Sequence, residues 1–264
     1  MNIIKTKPIN NSSRHCIKLS KNLLAKKLKF INNITVSTKF SYGKSKPSGR
    51  ISAWHRQGGA KKQYRPRNLL NKAGLYLSLF SSYDPNRTSF SSIVFDLITR
   101  KYKSYMLTSS VYPGSLIQVK PKLPAYRLGY RTKLKHLPTG ALINNVGDLS
   151  INDSLYIKSA GTVGQIIQVN SESCKIKLPS GVLINLSSDR YATLGAVDNK
   201  KNFLVRKGKA GRNRNLGRRP IVRGIAMNPV DHPHGGRSNG GRPSVTPWGL
   251  PTKSKFYLKR RGRK

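Results

Sequence analysis

Asp231, His232 and His234 stand within four positions of one another in the stretch MNPVDHPHGGRSNGG, residues 227–241. A neutral imidazole can serve as a general base and a carboxylate can orient it, so an Asp-His pair is a candidate hydrolytic dyad. The same groups are metal ligands, but a metal site needs three or four that converge. Neither chemistry finds its remaining parts. Neighbours at a proline-bent turn do not readily face each other, and Pro233 fixes the backbone between the two histidines. No Gly-x-Ser-x-Gly elbow occurs elsewhere, and His15, His55 and His136 supply no second ligand pair. We therefore expect no catalytic residue, no metal site and no enzyme. What remains is a glycine-flanked loop held by RNA, its side chains bonding to bases, 2′-hydroxyls and phosphates. The candidate residues are Asn228, Asp231, His232, His234, Gly235, Gly236 and Arg237.

The charge of the chain favours that reading. The 264 residues include 51 Lys and Arg against 8 Asp and Glu, a formal net charge of +43. A folded domain this basic repels itself unless a polyanion neutralises it. Nucleic acid does so with a gain from counterion release. A membrane surface is a poorer match: no apolar run reaches the roughly 20 residues of a span, and the basic residues form no amphipathic stripe. A small-molecule substrate is not indicated. Residues 1–83 hold 18 basic residues and no acid, residues 84–198 hold 14 and 7, and residues 199–264 hold 19 and one. A moderately basic centre thus lies between two arms that order on a polyanion. Cys16 and Cys174 are too far apart in sequence to suggest a zinc motif or a disulfide framework, and read as reduced thiols.

The centre must supply the folded body. Residues 74–80, 91–98, 102–108 and 115–119 are rich in aromatic and β-branched residues, as strands are. Asp84-Pro85-Asn86 marks a turn, and residues 99–101 form a short hairpin connection. Residues 120–138, with three prolines and no apolar period, read as an irregular linker containing a domain boundary. A second strand set follows at 140–146, 154–158, 162–169, 174–178 and 182–187, with a tight turn at 179–181. Short strands at close spacing, without helical pattern between them, predict small antiparallel barrels. Residues 24–31 suggest a turn or two of helix.

Two further stretches are candidates for RNA contact. In GRISAWHRQGGAKKQYRPR, residues 49–67, basic groups alternate with aromatics and glycines. The candidates there are Arg50, His55, Arg56, Lys61, Lys62, Arg65 and Arg67. Arginine presents forked donors to phosphate, and aromatic rings stack on unpaired bases. In KGKAGRNRNLGRRPIVRG, residues 207–224, the apolar content is too low for a core, so a phosphate-tracking extension is expected. Its candidates are Lys207, Lys209, Arg212, Arg214, Arg218, Arg219 and Arg223. Trp248, in the tail, either anchors the extension on protein or stacks on RNA.

The run GRRPIVRGIAMNPVDHPHGG, continued by GRPSVTPWGLPTKSK, resembles the C-terminal region of the universal ribosomal large-subunit protein two family. SGRISAWHRQGGAKKQYR is similar to that family's N-terminal RNA-binding stretch. YDPNR, SAGTVGQII, LPSG and RYATLGAV match further segments in the right order, so the resemblance spans roughly residues 45–255. Trp54 and Gln57 depart from its pattern, as does RSNGG after the histidine loop. The resemblance implies a mostly β protein with two small β-barrels, an oligonucleotide-binding-like fold and then an SH3-like barrel. Long basic irregular extensions would flank them. The implied division is a basic extension over 1–44, an RNA-binding domain over 45–123, an SH3-like barrel over 124–198 and an RNA-threading extension over 199–264. The resemblance also implies binding to large-subunit ribosomal RNA near the peptidyl-transferase centre, with His232 in the approaching loop. It further implies support of subunit association, transfer RNA binding and translation. Implied partners are that RNA and other ribosomal proteins, with transfer RNA and the small subunit met indirectly. No cofactor is implied beyond Mg²⁺ that surrounding RNA would hold.

The acid-free first segment has the look of a transit peptide, but we expect it to be retained. Abundant Asn, Lys, Ile, Ser and Tyr suggest an AT-rich organelle genome. A mitochondrial ribosome is the expected location, with a plastid or a bacterial cytoplasm as alternatives. The competing readings are a DNA-compacting nucleoid protein, which has no need of the Asp-His-Pro-His loop, and a hydrolase using His232 with Asp231.

Overall fold

The structure, a computed structural model, describes residues 2–22, 24–25, 34–37, 43–66, 73–147, 154–237 and 243–252. The chain divides into two compact units. Residues 1–40 and 60–212 form the first, and residues 41–59 and 213–264 form the second.

The first unit begins with β1 (Ile3–Lys5), the short helix α1 (Asn11–Arg14) and β2 (Ile17–Leu19), with β1 and β2 paired antiparallel. Local polar bonds build this segment. Asn10 accepts from the Ser13 amide through its side chain, and Ser13 Oγ accepts from the Asn10 amide, a reciprocal cap. Thr6 donates its hydroxyl to Ser13 O at 2.6 Å. The acid-free arm, implied by the resemblance to be an irregular extension, is thus partly ordered by its own polar side chains. The two-residue strands β3 (Val36–Ser37) and β4 (Gln63–Tyr64) pair next. The helix expected at 24–31 lies outside the described residues from position 26 onward.

The first barrel-like body comprises β5 (Gly74–Ser82), β6 (Ser91–Asp96), β7 (Tyr102–Met106) and β8 (Leu116–Val119), hydrogen-bonded in the order β8-β5-β6-β7. Tyr76, Val94, Tyr105, Ile117 and Val119 fill its core. The expected turn after β5 forms around buried Asp84, whose carboxylate accepts from the Asn86 amide at 2.9 Å and from Arg87 at 2.7 Å. The β6–β7 connection depends on Asp96. Its carboxylate accepts from the Ile98 and Thr99 amides, the Thr99 hydroxyl and Lys103 Nζ.

The second barrel-like body comprises β9 (Arg131–Lys133), β10 (Leu142–Asn144), β11 (Val146–Gly147), β12 (Ser154–Tyr156), β13 (Gly164–Val169), β14 (Ser173–Lys177), β15 (Leu183–Ser187) and β16 (Tyr191–Leu194). Its main sheet runs β15-β14-β13-β10-β16-β9, and β11 pairs with β12. Leu134, Ile143, Ile166, Cys174, Ile176 and Ala192 make the core. Both described thiols, Cys16 and Cys174, are free and buried. A parallel bridge from Val119 to Arg131 continues the two sets into one ten-stranded sheet.

The protein is mostly β, as expected, but three local readings change. Residues 120–138 are not an irregular linker: they contain β9, a 3₁₀ turn at Leu134–His136, and the fully buried Leu134 and Arg131. A buried arginine is invisible to hydrophobic patterning. Here its guanidinium donates to Asn145 O at 2.7 Å and Thr193 Oγ1 at 3.1 Å. The strand expected over 140–146 breaks at Asn145, which has φ +52° and donates its amide to Ile157 O. β16, which pairs between β9 and β10, was not among the expected strands. The helix α2 (Ala210–Asn215) then follows and runs past residue 212, where the unit ends.

The bonds to Asp96 hold its pKa below the usual carboxylate range: burial raises the pKa, and Lys103, Thr99 and the Ile98 amide outweigh that effect. Its contribution to stability is therefore complete above the unfolded value, about 3.9, and disappears as pH falls through the folded value. Asp96→Asn should be less stable than the parent at pH 7, with the difference shrinking between about pH 4 and pH 2. Thermal unfolding of the full chain against pH tests this; a constant difference would contradict it.

Candidate nucleic-acid interface

Among the described residues of the second unit, His232 is the only side chain that is buried, apart from glycine positions. The unit is built instead by backbone hydrogen bonds between two stretches far apart in sequence. Arg56 and Arg218 form an antiparallel bridge. The Gln57 amide donates to Gly217 O at 2.9 Å, and the Arg219 amide donates to His55 O at 3.0 Å. Gly217 has φ +82°, and a Cβ there would stand 2.5 Å from Gln57 O. Only glycine allows this approach without strain. The two basic stretches that the sequence presents separately are therefore one structure.

The histidine loop closes on itself. Amides of Asp231 and His232 donate to Asn228 O, that of Gly235 to His232 O, and that of Gly236 to Met227 O. A Cβ on Gly235 would collide with the Asn228 carbonyl. His232 lies against Gly224, where an added Cβ would meet the imidazole at 2.7 Å. The His234 amide donates to His232 Nδ1 at 3.0 Å, so a neutral His232 holds its proton on Nε2. His234 Nε2 lies 2.9 Å from Pro243 O, and the two imidazoles tilt together at 4.8 Å between centroids. Asp231 is exposed, and its carboxylate makes no hydrogen bond to His232. The loop therefore positions imidazoles within a rigid turn and turns its carboxylate outward; it does not assemble an acid–base dyad. Among the described residues no three His, Cys, Asp or Glu converge as metal ligands.

Beyond the loop, a narrow hairpin brings Thr252 back to Ser244, with its amide on Ser244 O and its hydroxyl on Ser244 Oγ at 2.7 Å. Its tip presents Trp248. Trp248 meets Trp54 edge to face, with centroids 6.3 Å apart and planes at 89°. The two indoles, with Arg56, Met227, Asp231 and His232, line a cleft of about 540 Å³. Trp54 and Trp248 were visible in the sequence as possible stacking groups. Their juxtaposition was not, because nearly 200 residues separate them and no periodicity links them.

The candidate cations divide by environment. In the second unit Arg50, His55, Arg56, Arg214, Arg218, Arg219, Arg223 and Arg237 are exposed, as are Asn228 and Gly236. In the first unit Lys61 and Lys209 are exposed, and Lys62 and Lys207 are half-buried. Arg65 donates to Ser82 Oγ at 3.2 Å and to Tyr83 O, and burial lowers its pKa. Arg212 donates to Cys16 Sγ and Lys207 O. These two guanidiniums thus fasten protein segments, a use that a basic motif alone does not reveal. Arg67 lies outside the described residues.

The family model described as "Ribosomal Proteins L2, C-terminal domain" matches residues 127–249. The chain is similar to the large ribosomal subunit protein uL2m of Reclinomonas americana, 38% identical over 264 residues, covering 94% of this chain and 91% of that protein. It is similar to uL2 of Rickettsia felis, 36% identical over 275 residues with 96% and 97% covered. It also resembles uL2 of Ehrlichia canis, 39% identical over 230 residues with 85% and 83% covered.

Gly217→Ala should release the paired stretches without disturbing the barrels. A non-glycine residue at this φ costs about 1–3 kcal/mol, so exchange of the Gln57 and Arg219 amides should quicken by about tenfold or more. Amides of Val94 and Ile176 should keep their protection. Hydrogen exchange on the full chain measures both, and unchanged exchange at Gln57 would contradict the close approach.

Proposed function

The chain belongs to the ribosomal protein L2 family, and from that premise we infer that it is a structural protein of the large ribosomal subunit, partnered by ribosomal RNA and other ribosomal proteins. It is not an enzyme. The observation that supports an RNA-held second unit best is its construction: two strongly basic stretches joined backbone to backbone, arginines outward, around one buried imidazole. Apolar burial supplies little of its stability, and phosphate contacts would neutralise the repulsion among its arginines.

In this reading Arg50, Arg56, Arg214, Arg218, Arg219 and Arg223 meet phosphate and fix position. The loop of Asn228, Asp231, His232, His234, Gly235, Gly236 and Arg237 approaches the peptidyl-transferase centre. RNA is the catalyst there, and the loop is a positioning element whose backbone is closed before RNA arrives. By holding RNA in that neighbourhood the protein supports subunit association and transfer RNA binding. The mitochondrial ribosome is its proposed location, supported by the similarity to a mitochondrial relative and by the AT-rich style of the sequence.

His232→Ala removes the imidazole that Gly224 and the His234 amide hold. The two barrels should fold and melt as in the parent, while ribosomes containing only the variant should assemble or translate poorly. Subunit profiles and translation rates of such ribosomes provide the check; unchanged assembly and unchanged translation would refute the role of the loop.

A further inference from the structure

We propose that the cleft between Trp54 and Trp248 is a binding site for one unpaired guanine base of RNA, read through the carboxylate of Asp231. The proposal rests on the RNA-held reading of this unit and adds a particular ligand to it.

Three observations lead there. The first is shape. Two indoles at 89° form a right-angled corner, and both are exposed, Trp54 at 50% and Trp248 at 71%. A planar group laid on one ring presents its edge to the other. Val222, Met227 and Pro247 extend the apolar lining, and the cleft, about 540 Å³, falls within the usual size of small-ligand sites. Phosphate has no use for such a surface, whereas every nucleobase has a face that stacks on an aromatic ring.

The second is charge. Asp231 is the one acid in residues 199–264, among 19 Lys and Arg. A carboxylate facing a polyanion is repelled unless it meets N–H donors, and in RNA the strong N–H donors lie on base edges. Among the described residues the carboxylate takes up no hydrogen bond or ion pair, although arginines are abundant nearby in sequence. Its backbone, by contrast, is fixed by the Asn228 carbonyl, so the side chain is held at the cleft while its acceptors stay open.

The third is the match of donors. An ionised carboxylate offers two parallel acceptors. The Watson–Crick edge of guanine offers two parallel donors, N1–H and the exocyclic amine. Adenine offers one amine beside an acceptor, and uracil one N–H between two acceptors. Reading a displaced base by its Watson–Crick edge while stacking it on aromatic side chains is a general solution for unpaired nucleotides. Arg56, exposed and lining the same cleft, supplies a cation for the phosphate of such a nucleotide.

Trp54 and Trp248 are the two tryptophans of the chain, so its indole emission reports on this cleft alone. The full chain is titrated with an RNA hairpin whose loop holds a single guanosine among uridines. The same hairpin is then used with inosine, which lacks the exocyclic amine, or adenosine in that place. The expected result is quenching that saturates, with affinity in the order guanosine, inosine, adenosine. The guanosine and adenosine loops should differ by about tenfold or more. Asp231→Asn, a conservative change at an exposed side chain, should abolish the preference and leave the salt-dependent part of RNA binding. Trp54→Ala should weaken binding of all three loops. Equal affinities, binding without a change in emission, or a preference that survives Asp231→Asn would each overturn the guanine site while leaving the RNA-held reading in place. Failure of all hairpins to bind in a salt-dependent way would overturn both.

Discussion

Unbalanced positive charge is the constraint on which the rest of this structure depends. With 8 acids to 51 basic residues, the chain can place a carboxylate in only a few positions. It places half of the described ones where a fold needs a fixed corner. Asp84 closes the turn after β5 and pairs with Arg87; Asp96 closes the next hairpin and pairs with Lys103; Asp189 meets both Lys133 and Lys135. Those pairs neutralise a few cations of the barrel-bearing unit, which keeps a large excess of basic residues of its own. The second unit has no comparable supply. Its arginines face outward from a frame of backbone bonds, and neutralisation has to come from a partner.

The way that frame is held follows from the same constraint. A core of apolar side chains would need sequence positions that cations and glycines occupy. The stretches at 43–59 and 213–237 instead come close enough for main chain to bond main chain, which glycine permits at Gly217. The only buried side chain among the described residues of this second unit is an imidazole, His232, satisfied through Nδ1 by a neighbouring amide. Such a unit gains order from geometry more than from burial, and in the proposed reading phosphate contact would add what burial does not. This division of labour would suit a protein whose barrels fold on apolar packing while its basic segments order with RNA.

What could be read in the sequence follows the physics of each segment. β5 to β8 and β13 to β15 have clear aromatic and β-branched runs, and their turns are marked by Asp84-Pro85-Asn86 and by Pro179-Ser180-Gly181. β9 and β16 are short, and β9 begins with a buried arginine, so pattern could not find them. The candidate site was legible as residue types: Asp231, His232, Trp54 and the arginines all stood out. Their arrangement was not legible. Nothing in a linear pattern says that residue 57 pairs with residue 217, or that His232 points inward while its neighbour Asp231 points outward. Nor does composition distinguish Arg218, exposed, from Arg65 and Arg212, which bond to protein atoms. The structure joined these parts where periodicity could not.

The central claim is that RNA, not DNA or a small substrate, completes the second unit. Sedimentation of a lysate of the source cells on a density gradient, with and without ribonuclease, tests it most directly when this chain is tracked through the fractions. The account predicts co-migration with large-subunit RNA that persists at moderate salt and collapses after ribonuclease. Migration as a small species, or with DNA and indifferent to ribonuclease, would contradict it.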